Sequence, residues 1–161
     1  MAVDQLTFVL WETREALEDL TFSLEQTLLF AGAGRARHLA RATASLQTAL
    51  VRLEAAEQRR VEILAELAPA VGLEPGAPLR AVAERLDPEE RAPLLELRST
   101  LLEQLGTVDR LADQLRQLLA QQLAATSDAL ALLGASPLLG TPQSAHRPRS
   151  RPEAVLVDTR A

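Results

Sequence analysis

Leucine and alanine recur at steps of three and four along the chain as far as residue 133, the spacing that keeps side chains on one face of a helix. The longest such stretch runs from Asp87 to Leu133, where Leu94, Leu97, Leu101, Leu105, Val108, Ala112, Leu115 and Leu119 form the stripe. Leu102, Leu111, Leu118 and Leu123 flank it and make it wider than a two-strand seam. Asp87 suits a cap, Pro88 the first helical position and Glu90 a capping box, so the start of this helix is written into the chain. Gly106 inside it marks a bend or a close crossing. A helix of this length extends about 70 Å at about 1.5 Å per residue and cannot cover its own stripe.

Two further long helices precede it. The first begins after Asp4, a candidate N-cap, and carries Leu6, Leu10, Thr13, Leu17, Leu20, Leu24 and Leu28. All the aromatic residues, Phe8, Trp11, Phe22 and Phe30, fall in this helix, which predicts that its packing is the most specific in the protein. Ala31-Gly32-Ala33-Gly34 then breaks the pattern and predicts an antiparallel hairpin. The second helix runs from about Arg35 to Ala68, with Leu39, Ala42, Leu46, Ala49, Leu53, Ala56 and Ile63 on its stripe. Its alternation of small and large residues allows close approach to a neighbour, and Arg60 interrupts the seam. Pro69 ends or kinks the helix and Gly72 stops it. A breaker-rich loop, 73–78, leads to a short helix from Pro78 to Leu86. Past Gly134 the prolines, serines and arginines of residues 135–161 predict a disordered tail, separate from a helical domain of residues 1–134. The fold expected is all-α: an elongated antiparallel bundle of three long helices and one short one.

Composition narrows the chemistry. Hydrophobic residues make up 47% of the chain and aromatics only 2%, which argues against a compact α/β enzyme. Residues 1–134 carry 13 Arg against 20 acidic residues, a net −7, and residues 135–161 carry 4 Arg against 2, a net +2. An acidic body repels nucleic-acid phosphates and anionic lipid. There is no cysteine, hence no disulfide and no thiolate metal site. The histidines, His38 and His146, have no carboxylate or serine at catalytic or metal spacing, and no inward-facing Glu-x-x-His exists. Gly32-Ala33-Gly34-Arg35 lacks the strand and the Lys-Ser/Thr ending of a phosphate loop. Neither cofactor nor metal is expected. No basic, apolar leader begins the sequence and no apolar run approaches the length of a membrane span, so a cytoplasmic protein is expected.

From Leu115 to Ala131 the long helix carries only Arg116 and Asp128 as charges, and Gln, Thr and Ser take the polar places. Such a face suits either a seam buried by the first two helices or a groove for another chain's helix. The first two helices are shorter than the third, which predicts that part of the third projects past them. Two readings follow: a binding protein that holds a partner helix there, or a structural coiled-coil protein that self-associates through the stripe.

The order of elements resembles the FlgN-type flagellar export chaperones. The resemblance is carried by a Leu-x-x-x-Leu first helix and a second helix containing Glu57-Gln58-Arg59-Arg60. It continues through Leu67-Ala68-Pro69-Ala70-Val71-Gly72-Leu73, Pro78-Leu79-Arg80-Ala81-Val82-Ala83 and the closing Asp128-Ala129-Leu130-Ala131-Leu132-Leu133. It implies a cytoplasmic, non-enzymatic chaperone. Such a protein binds the C-terminal segments of the hook–filament junction proteins FlgK and FlgL, keeps them unassembled and delivers them to the export gate protein FlhA. The client surface implied is Leu111, Leu115, Leu118, Leu119, Leu123, Leu130 and Leu133. Leu138 and Leu139 stand where many relatives have a Tyr-Gly element that docks to the gate; this chain has no Tyr and no Asn.

Overall fold

The structure, a computed structural model, describes residues 2–132. It is all-α, with α1 (Ala2–Gly32), α2 (Ala36–Ala70), the short α3 (Leu79–Ala83) and α4 (Pro88–Leu132). Leu133, Leu138 and Leu139, and the tail expected at 135–161, lie outside the described residues. α1 begins before Asp4, so Asp4 is inside the helix and is not its cap. α3 is shorter than expected and gives way to turns at 84–86.

The stops are where the glycines put them. Gly34 and Gly72 have φ of +65° and +76°, a left-handed conformation that costs a Cβ-bearing residue about 1 kcal/mol or more. At each, the next residue's N–H reaches five residues back: Arg35 to Phe30 O at 2.9 Å and Leu73 to Ala68 O at 2.9 Å. These bonds satisfy carbonyls that a helix end leaves orphaned. Pro69 sits in the last turn of α2, one residue before the helix ends.

α1 is the central element. It buries eleven of its 31 residues, whereas α4 buries four of its 45. α1 packs against both α2 and α4, while no Cα of α2 approaches one of α4 within 8 Å. On the α2 side the contact is between small residues: Ala16, Ser23 and Thr27 of α1 are buried, as are Ala42, Ala49 and Ala56 of α2. Small side chains let two backbones come close along their whole length. The hydroxyls this buries are satisfied locally: Thr13 and Thr27 donate to Val9 O (2.8 Å) and Ser23 O (2.7 Å). Arg59 Nη2 meets Glu12 Oε2 at 2.9 Å, and Arg52 pairs with Asp19 across the same seam.

Two apolar clusters lie along α1. At the base, Leu6, Leu10 and Leu17 share a core with Leu64 and Leu67 of α2, Leu79 and Val82 of α3, and Leu94, Leu97 and Leu101 of α4. Higher up, Leu20 and Leu24 share one with Ala49 and Leu115. α1 and α4 therefore run parallel, with α2 antiparallel to both. The aromatic residues do not take part as expected. Phe8, Trp11 and Phe22 are exposed and Phe30 is half-buried beside His38, because two faces of α1 are filled by leucine and small residues and the aromatics occupy the third.

Arg60, on the stripe of α2, is buried and ion-paired with Glu57, its Nε 2.6 Å from Oε1. Burial pushes the Glu57 carboxyl above its ordinary range, and the adjacent Arg60 offsets this only in part. A carboxyl raised in the folded state binds more protons there than when unfolded. Its contribution to stability is therefore largest below the ordinary glutamate pKa and is lost as pH rises through the raised value. In denaturant titrations, the stability difference between the native protein and a Glu57→Gln variant is expected to shift against the native protein as pH rises from about 4 through that window; a pH-independent difference would contradict it.

The central place of α1 sets a second expectation. Leu17→Ala, at a fully buried position, should lower unfolding free energy by about 2–5 kcal/mol. Leu123→Ala, on the exposed part of α4, should change it by less than about 0.5 kcal/mol. Urea unfolding followed by circular dichroism checks both.

Candidate functional site: the projecting end of the long helix

The apolar face of α4 is continuous, but its cover is not. Leu94, Leu97, Leu101 and Leu115 are buried, and Leu119, Leu123 and Leu130 continue the same line at helical spacing. Yet every described residue from Leu119 to Leu132 is exposed. Leu119, Leu123 and Leu130 keep 43%, 56% and 38% of their surface in solvent.

The change comes where α1 ends. A Cβ on Gly32 would lie 3.9 Å from Leu118 Cδ2. The Gln122 amide donates to Ala31 O at 2.6 Å, a second hydrogen bond to a carbonyl that also accepts from Gly34 N–H at 3.2 Å in the turn that ends α1. The ten residues of α4 after Gln122 extend about 15 Å past this junction. Projection of the long helix, expected from helix lengths, is thus what the structure shows, and Gln122 marks its root.

The residues singled out from the sequence divide at this junction. Leu115 is buried with Leu20, Leu24 and Ala49, which corrects its place on the client surface: it belongs to the molecule's own core. Leu111 is half-buried against the same cluster, and Leu118 is half-buried next to Gly32. Leu119, Leu123 and Leu130 remain accessible together. Leu133, the next position on the line, falls outside the described residues. Sequence reasoning missed the rim that α1 supplies: Leu28, Leu29, Gly32 and Ala33, with Glu25, line an open groove of about 610 Å³ at the root of the projection. The adjacent Leu28-Leu29 pair, one residue on the stripe and one off it, was the available signal.

Nothing in this region equips it for chemistry. Arg116, ion-paired with Asp113, and Asp128 are its only charges between residues 115 and 132. Among the described residues no group of His, Cys, Asp and Glu could hold a metal ion. His38 is held by Phe30, its ring centroid 5.2 Å away, and by Arg37 Nε, which donates to its Nε2 at 3.0 Å. What the tip presents is an exposed, nearly uncharged leucine face.

The family model described as FlgN protein matches residues 1–139. The chain belongs to the FlgN family. No curated protein and no solved structure matches it. FlgN proteins are flagellar export chaperones, a family of chaperones and not of enzymes. Among the described residues no helix of this FlgN protein is long and apolar enough to cross a membrane.

Cover should be readable in exchange kinetics. Backbone amides of residues 123–132 are expected to exchange with deuterium faster than those of 94–115, because only the latter sit under α1. Equal protection along α4 in the free protein would show that the projecting end is covered.

Proposed function

We propose that residues 119–132 of α4, with Leu133 after them, bind the C-terminal segments of the junction proteins FlgK and FlgL, with residues 1–134 acting as the chaperone domain in the cytoplasm. The observation that carries this is the continuity of the apolar line past its cover: the side chains that are core at Leu101 and Leu115 are followed, among the described residues, by Leu119, Leu123 and Leu130 with 38–56% of their surface in solvent. A client helix laid there completes the packing that α1 supplies further down.

Energetics favour a reversible complex. Each leucine contributes at most about 1.5–3 kcal/mol when fully covered. Ordering a disordered client costs about 2–5 kcal/mol. The balance is a few kcal/mol from these anchors, strong enough to hold an unassembled client and weak enough to release it. Hand-over to FlhA then falls to the segment after α4, with Leu138-Leu139 in the docking place. The low charge of the site makes binding insensitive to salt.

Isothermal titration with C-terminal peptides of FlgK and FlgL tests the reading. The Leu123→Ser/Leu130→Ser variant is expected to bind at least about tenfold more weakly, since the change removes more than about 1.4 kcal/mol of contact, and to keep the native unfolding midpoint. Unchanged affinity, or no binding by the native protein, overturns it. Sedimentation addresses self-association: a tight dimer that hides the same leucines would make the tip a contact between copies.

A further inference from the structure

The third face of α1 carries a second surface, which meets the tip groove at Leu29. Phe8, Phe22 and Leu29 follow one another at seven- and fourteen-residue steps, and with Trp11 they fall within about 60° of one another at 100° per residue. All are open to solvent, at 65%, 60%, 67% and 49%. Large apolar residues gathered on one line mark an interaction surface more than they mark chance.

The surroundings are acidic. α1 carries six acidic residues against Arg14, which is itself paired with Glu18 at 3.0 Å while its guanidinium lies over the Trp11 ring. Glu12 and Asp19 are met by Arg59 and Arg52 of α2, so the acidic excess of this face lies at Glu15 and, toward α4, at Glu25 and Glu103. On the α4 side Phe22 borders a groove of about 430 Å³ that also holds Glu18, Glu25 and Glu103. An occupant of this face needs apolar side chains and positive charge. A second copy of the same face would set glutamates against glutamates, and an anionic lipid surface would be repelled.

We propose that the occupant is this chain's own carboxyl-terminal segment, residues 146–161, bound to α1 within the same molecule. That segment holds Arg147, Arg149 and Arg151, followed by Ala154-Val155-Leu156-Val157, the charge and apolar content that the face lacks. It lies beyond residue 139, where the family match stops, so the docking is a property of this chain and not of the chaperone site. Reach is sufficient. From Leu132 back to Phe22 is about 30 Å along the bundle, ten residues of projection and nine of α1 at about 1.5 Å each. The 14 residues between Leu132 and Arg147 span up to about 50 Å.

Trp11, the chain's single tryptophan, reports on the face directly. Acrylamide quenching is compared between the full chain and a full chain carrying Arg147→Glu, Arg149→Glu and Arg151→Glu, substitutions outside the packed helices. The native chain is expected to quench about twofold less readily at low salt, to lose that shielding at about 0.5 M salt, and to show it at every protein concentration. A Glu15→Gln/Glu25→Gln chain should lose it likewise. Equal quenching of the native and arginine-reversed chains overturns the proposal, as does shielding that grows with protein concentration, which would place the segment on another molecule.

Discussion

Everything in this molecule hangs from α1, the one long helix that packs against both of the others. Its two covered faces differ in kind. Toward α2 it offers alanine, serine and threonine to a matching alanine stripe, and the backbones draw close. Toward α4 it offers leucines, which fill the wider space left between elements that are parallel rather than a hairpin. α2 and α4, whose Cα atoms stay more than 8 Å apart, share only side-chain contacts in the two clusters that α1 itself builds.

The functional geometry is a consequence of length. α4 has 45 residues and α1 has 31, and both start from the same base, where the leucines of α1, α2, α3 and α4 meet in one core. The shorter helix runs out first. Gln122 ties off the end of α1, and beyond it an apolar line that was core becomes surface with no change in its sequence character. In the proposed role, that strip is where a client of this FlgN-family chaperone would rest.

The same economy explains why the aromatics are outside. With leucine and small residues sufficient for both seams, Phe8, Trp11 and Phe22 are left on the remaining face, where they stand among glutamates. A surface of that kind is costly to leave bare, and the arginines near the carboxyl end are the complementary charge the chain itself supplies.

Helix number, order and most ends were legible in the sequence because they depend on local physics: leucine spacing, the Asp87-Pro88 start, and glycines at 34 and 72 whose left-handed backbone no other residue adopts as readily. The start of α1, before Asp4, and the early end of α3 at Ala83 were not. Projection of the long helix was legible too, since it follows from comparing lengths. What the tertiary structure decided was which stripe each helix turns toward which neighbour. Periodicity gives an apolar face but not its cover, so Leu115 and Leu119, alike in sequence, part company only when the end of α1 falls between them. The aromatics show the same limit. A helix with two neighbours has three faces to assign, and residue type alone does not say which of them water keeps.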